Sequence, residues 1–160
     1  MKDITIGIDI GGTNTKFGVV DRTGNVLFQD RIKTQEYAEF SDLINDLIKA
    51  IHTAIAGLGH AYNLVGVGVG AANGNYYKGT IEHATNLKWK GIIPLTELLS
   101  KPLGVPVLVT NDANAAAVGE MVYGAARDMK DFVVITLGTG LGSGFVANGK
   151  LINGKHGIAG

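Results

Sequence analysis

Ile4, Ile6, Ile8 and Ile10 alternate with Thr5, Gly7 and Asp9, the period-two pattern of a strand with one buried face. The strand runs into Gly11 and Gly12, residues 16–21 (KFGVVD) read as a second strand, and after the turn RTGN residues 26–33 read as a third. Only residues 11–15 separate the first two strands, and a parallel crossover takes a dozen residues or more. The spacing therefore predicts an antiparallel hairpin opening a three-stranded meander. From Phe40 the period changes: Phe40, Leu43, Ile44, Leu47, Ile48, Ile51 and Ile55 follow the i, i+3, i+4, i+7 rule of a helix with one buried stripe, which Gly57 and Gly59 end. A strand over 64–71, a polar loop over 73–91, a helix over 95–103, a strand over 105–112 and a small-residue helix over 113–126 follow. The order β-β-β-α-β-α-β-α, complete by about residue 127, implies an α/β layer fold with a mixed sheet.

The opening pattern then returns. Residues 132–137 read as a strand, 138–143 as a glycine loop, 144–147 as a strand, Asn148 and Gly149 as a turn, and 150–153 as the start of a third strand. Laying IGIDIGGTNTKFGVV over VVITLGTGLGSGFVA matches Ile10 with Leu137 and Phe17 with Phe145. The division predicted is one domain over 1–127 and the opening meander of a second copy over 128–160. A hairpin and a turn cannot bury a face of their own, so 132–160 should be poorly supported unless something covers them.

The 160 residues carry 14 basic and 14 acidic side chains, 24 glycines, 3 prolines and no cysteine. Balanced charge sets up no long-range field toward nucleic acid or anionic lipid, so neither is an expected partner. The lack of cysteine excludes a disulfide framework, thiolate-bound zinc and a cysteine nucleophile. Residues 50–77 and 132–149 are free of charge, but Gly, Asn, Thr and Ser interrupt them too often for a membrane span. Met1, Lys2 and Asp3 lead straight into a strand without the apolar run of a signal peptide, and a cytoplasmic protein is expected. Glycine is present at about twice its usual frequency of roughly 7%, in clusters that mark tight turns or close approaches.

The first cluster is DIGGTNTK at 9–16. It places a carboxylate at a strand end, then backbone N–H groups freed by two glycines, the hydroxyls of Thr13 and Thr15, and Lys16. That inventory suits a metal-bound phosphate, with Asp9 holding Mg²⁺ directly or through water; an ordinary Gly-Gly hairpin with a surface lysine is the alternative. GTGLGSG at 138–144 is harder to explain as a plain turn, because four glycines in seven positions weaken a strand pair. Two such loops at equivalent positions of a repeat point to one nucleotide clamped from both sides. Residues 66–71 match a dinucleotide fingerprint by letter, yet no helix follows. They read as a central strand whose glycine face permits close packing or approach by a substrate.

NDANAAA at 111–117 lies at a strand-to-helix junction. Asn111 or Asp112 suits an N-cap followed by good helix formers. The same position, at the carboxyl end of a strand, is where open α/β sheets bind ligands, so Asp112 also suits a proton acceptor with Asn111 orienting the attacking hydroxyl. Polar residues over 73–86 are expected to line an acceptor pocket with Trp89, Tyr76 and Tyr77 near its rim, although a solvated loop with one packed aromatic fits equally. His52, His60, His83 and His156 show no metal-ligand spacing.

DIGGTNTK at 9–16, NDANAAAVGE at 111–120, LGTGLGSG at 137–144 and GKHGIAG at 154–160 together resemble the N-terminal half of ROK family sugar kinases, the family of repressors, open reading frames and kinases. The resemblance implies an actin-like ATPase (ribonuclease H-like) fold, two related domains, and ATP-dependent phosphorylation of a hexose such as glucose by a homodimeric enzyme of which this chain is a fragment. Carried over by position, Asp112 is the catalytic base and Asn111 a sugar ligand. Gly11, Gly12, Thr13, Asn14 and Lys16, with Gly138, Thr139, Gly140 and Gly142, form the ATP phosphate sites, and Asp9 serves Mg²⁺. Gly74, Asn75, Thr85 and Asn86 face the sugar. In the family GIAG is followed by a glutamate and a histidine on the sugar and then by a cysteine-rich zinc motif; these residues contain none of them. Family kinases for N-acetylmannosamine, N-acetylglucosamine, fructose or allose, a sugar-responsive repressor and a non-catalytic sugar-binding module are the alternative readings.

Overall fold

The computed structural model describes residues 1–138 and 140–160; Thr139, assigned above to a phosphate site, lies outside the described residues. Strands β1 (Lys2–Ile10), β2 (Thr15–Asp21) and β3 (Val26–Ile32) form the expected antiparallel meander. A 3-10 turn at Thr34–Glu36 leads into α1 (Phe40–Gly57), which carries the chain over the sheet to β4 (Tyr62–Ala71), parallel to β1. After α2 (Leu95–Leu103), the strand β8 (Val107–Thr110) adds parallel to β4. The resulting sheet has the order β3-β2-β1-β4-β8 and is mixed, as the pattern required. Among the described residues no helix is long and apolar enough to cross a membrane.

One face of this sheet holds the core. Ile4, Ile6, Ile8, Ile10, Phe17 and Val19 are buried with Phe40, Leu43, Leu47 and Ile51 of α1 and Leu95 and Leu99 of α2. Each such side chain contributes about 1.5–3 kcal/mol on leaving water. Gly104, at φ 67, closes α2 in the left-handed conformation that only glycine adopts without strain.

Several boundaries differ from the expectation. The loop predicted over 73–91 contains a second sheet of β5 (Gly74–Asn75), β6 (Thr80–Glu82) and β7 (Ile92–Ile93), strands too short to show an alternation. The strand predicted over 105–112 is only four residues long, because Pro106 has no N–H for the ladder and Asn111 already caps the next helix, α3 (Asp112–Tyr123). That helix stops three residues before its predicted end, where Gly124 turns extended.

The second meander comprises β9 (Phe132–Leu137), β10 (Leu141–Ala147) and β11 (Lys150–Leu151). Residues 141–143, expected in the glycine loop, belong to β10. The paired ends are therefore one residue closer in sequence than in the first copy: Leu137 pairs with Leu141 where Ile10 pairs with Thr15. Phe145 opposite Val133 thus corresponds to Val19 opposite Ile6, and not to Phe17; Gly142 takes the place of Lys16. Letter similarity had pulled the two phenylalanines into a register that the hydrogen bonds do not follow.

Candidate functional site

The first turn of α3 divides two tasks between neighbours. Asn111 is the N-cap: its Oδ1 accepts from the Asn114 N–H at 2.7 Å. Asp112 is therefore not needed as the cap, and among the described residues its exposed carboxylate makes only a local bond, accepting from the Ala113 N–H at 2.9 Å. The N-cap reading of the motif holds at Asn111, and the cap leaves the Asp112 carboxylate unused.

Three segments converge on this turn. On the main sheet Asp9 pairs in register with Lys16, both projecting from the face opposite the core into a trough of about 900 Å³ that Thr110 and the glycine column Gly7, Gly18 and Gly68 also line. Partial enclosure by the sheet pushes the Asp9 carboxyl above its ordinary range; Lys16 opposes the shift and the nearby Asp112 carboxylate adds to it. From the second meander Gly142 packs on α3, where an added Cβ would lie 3.1 Å from the Ala113 Cβ and 3.9 Å from an Asp112 carboxylate oxygen. From the small sheet of residues 74–93, Gly74 lies against the Thr110 carbonyl and has no room for a side chain.

The glycines separate by cause. Gly11 makes a tight turn, donating to the Asn14 carbonyl at 3.0 Å. Gly12 meets the Asn86 carbonyl, so the loop around Asn86 touches the first glycine loop. Gly142 and Gly144 are required by the close approach of α3; a Cβ on Gly144 would sit 2.7 Å from that of Ala117. Gly70 likewise faces Ala115 at 3.2 Å, so there the glycine face of β4 serves helix packing. Among the described residues nothing lies within 4 Å of a Cβ on Gly138 or Gly140, so packing against them gives no reason for either glycine. Two of the four glycines in the second cluster thus answer to the helix beneath and two do not.

Other candidates are placed less directly. Thr13 is exposed, but the Thr15 hydroxyl is buried against that of Thr34 at 2.8 Å and cannot meet a phosphate. Asn75 is buried, and its Oδ1 accepts from the Tyr77 and Lys78 N–H groups at 3.1 and 3.2 Å, shaping the loop from within. Thr85 and Asn86 are exposed on a segment that the Lys90 ammonium ties to the Ala84 and Leu87 carbonyls. Trp89 is an anchor and not a rim residue: it packs edge-on to Phe40 and donates to the Ala38 carbonyl at 2.7 Å. Tyr76 and Tyr77 are exposed and stack edge to face.

Sequence reasoning missed Asn114. It is fully buried, and its Nδ2 donates to the Ala159 carbonyl at 2.7 Å beside a second donor, the Asn111 Nδ2 at 3.2 Å. An amide interrupting a run of alanines was the available signal. The Asp9 carboxylate, at the strand end beside the first glycine loop, offers a hard oxygen donor of the kind Mg²⁺ takes beside phosphate and water, so this residue fits that ion.

The mixed α/β fold is shared with solved structures. A ROK family glucokinase from Streptomyces griseus, in complex with glucose and AMPPNP, is 40% identical and superposes with a TM-score of 0.77 over 98% of this chain and 48% of its own. Glucokinase from Streptomyces coelicolor is 40% identical over 157 residues, 98% of this chain and 47% of its own length. N-acetyl-D-glucosamine kinase from Pectobacterium atrosepticum is 37% identical over 155 residues, 96% of this chain and 49% of its own. The chain spans about half the length of the curated relatives it matches. The ROK family pattern matches residues 5–160, from the first strand through both glycine loops to the final GIAG, and the chain belongs to the ROK family.

Proposed function

We propose that this chain is the amino-terminal half of an ATP-dependent hexokinase of glucokinase type, with the actin-like arrangement of one domain over 1–127 and the start of a second over 128–160. The observation that carries the reading is the convergence, on the first turn of α3, of the Asp112 carboxylate, the Asp9–Lys16 pair and the second glycine segment at Gly142. Likeness to the Streptomyces glucokinases supports it.

In this reading Asp112 accepts the proton of a sugar hydroxyl as its oxygen bonds to the γ-phosphorus and the bond from that phosphorus to the ADP oxygen breaks. The N–H groups of Gly12, Thr13 and Asn14 with Lys16, and that of Gly140, hold the phosphates, while the Gly11 and Gly138 N–H groups close their own turns on the Asn14 and Gly140 carbonyls. Asp9 would hold Mg²⁺, directly or through water, and the bound ion would offset phosphate charge. Gly74, Thr85 and Asn86 border the sugar, and Asn75 shapes their loop.

The test is coupled ADP release by the complete enzyme with MgATP against a panel of glucose, mannose, fructose, N-acetylglucosamine and N-acetylmannosamine. Asp112→Asn should lower kcat about 10²–10⁴-fold, the usual contribution of a positioned base, with hexose affinity nearly unchanged. Undiminished turnover would remove Asp112 as the base. N-acetylglucosamine as the preferred acceptor would favour the second reading, which the 37% identity to a kinase of that sugar supports.

A further inference from the structure

The last residues form a strap between the two walls of the site. At one end the Tyr76 N–H donates to the Gly157 carbonyl at 3.0 Å, and Gly157, at φ 74, sits so close to the acceptor loop that a Cβ would lie 2.8 Å from the Asn75 Oδ1. At the other end the Ala159 carbonyl receives two amide donors from α3, Asn114 at 2.7 Å and Asn111 at 3.2 Å, while the Ala159 N–H reaches back to the Asn153 carbonyl at 3.1 Å. Gly160 is wedged between Asn111 and the Ser143 carbonyl. Residues 157–160 therefore touch the acceptor loop, the helix that carries Asp112 and the second meander.

Asn114 is the pivot of this arrangement. Its backbone N–H takes the Asn111 cap and its Nδ2 takes the strap, so one residue ties cap and strap together. Its Oδ1 is buried without a hydrogen-bond partner among the described residues and lies 3.2 Å from the position of a Cβ on Gly160. A buried acceptor left free is costly, which argues that the side chain is kept for its orientation and not for helix stability, where alanine serves better.

We propose that Asn114 is a positioning residue: through the Ala159 carbonyl it holds strap 157–160 so that the acceptor loop at 75–77 and the Asp112 carboxylate keep one fixed separation. Asn114 does not touch the reacting atoms. It sets the acceptor geometry and leaves the phosphate loops, which hang from β1, β2 and β9, unaffected. The proposal rests on the hexokinase reading for its kinetic consequence and on the hydrogen bonds alone for its structural one.

Two measurements separate these. In the 160-residue chain, amide exchange at Tyr76 and Ala159 should quicken about tenfold or more in Asn114→Ala and in Asn114→Asp, which keeps the shape but replaces the donor with an oxygen facing the Ala159 carbonyl. Exchange unchanged at Tyr76 overturns the strap. In the complete enzyme both variants should raise the hexose KM about tenfold or more with the MgATP KM within twofold. Gly157→Ala, which disturbs the far anchor and leaves the core alone, should give the same split. A parallel rise in both KM values, or Gly157→Ala kinetics equal to wild type, overturns the positioning role. A wild-type enzyme that phosphorylates no hexose would sink the kinase reading, and the exchange result would still decide the strap.

Discussion

The two meanders have the same pairing and opposite coverings. In the first, the face of Ile6, Ile8, Ile10, Thr15 and Val19 is sealed by helices, with none of the five more than 4% exposed. In the second, the equivalent residues Val133, Ile135, Leu137, Leu141 and Phe145 are 41–85% exposed. The other faces reverse this. Asp9, Lys16, Gly7 and Gly18 of the first open onto the trough, whereas Gly142, Gly144 and Val146 of the second lie under α3. Where the first copy carries Lys16 the second carries Gly142, because a helix occupies the space a lysine would need. A repeated backbone thus presents charge in one copy and bare main chain in the other, and the choice follows from which face is packed.

The sharpest way to break the comparison is to truncate matched core positions. Ile8→Ala should destabilise by about 2–5 kcal/mol in denaturant unfolding, as buried isoleucines do, and Ile135→Ala by under about 1 kcal/mol. Equal losses would show that the second face is covered in solution, as would uniformly slow amide exchange across β1 and β9.

Next come the glycine faces. Gly142→Ala must displace Thr136 or Ala113, 2.6 and 3.1 Å from the new Cβ, at about 1–3 kcal/mol. Gly7→Ala meets nothing within 4 Å and should be neutral or stabilising by about 0.4–1 kcal/mol. The reverse ranking would place the covering helix on the wrong face.

The smallest effect sharpens the electrostatic side. The Asp9 carboxyl is raised above its ordinary value of 3.8 in the folded chain, chiefly by enclosure. The folded state therefore binds a proton more tightly than the unfolded one. Its contribution is present below pH 3.8 and lost as pH rises through the folded value. Asp9→Asn should accordingly raise Tm at pH 7 by about 1–2 °C, leave it unchanged near pH 3, and weaken MgATP binding. A fall in Tm at pH 7 would mean that attraction to Lys16 outweighs enclosure.

Legibility of the site followed how local each feature is. The strand-end carboxylate Asp9, the turn at Gly11 and the cap at Asn111 depend on neighbours within a few residues, and all were readable. The need for glycine at 12, 74, 142 and 144 depends on Asn86, Thr110, Ala113 and Ala117, which are distant in sequence or across a helix, so a glycine loop and a helix-packing glycine look alike in letters. The three short strands between residues 74 and 93 were invisible because two or three residues carry no period. Asn114 escaped because its partner, Ala159, lies 45 residues away.

Hydrophobic periodicity determined the antiparallel opening, the mixed sheet and the return of a meander after residue 131, since burial of one face per element is a constraint written along the chain. Four motifs in fixed order were enough to indicate the family. Only the tertiary structure decided the register of the second copy, which glycines serve packing and which stay open, and that Asn75, Asn111 and Asn114 use their amides inside the protein. These are matters of a few tenths of an ångström between segments brought together by folding, and no local pattern encodes such distances.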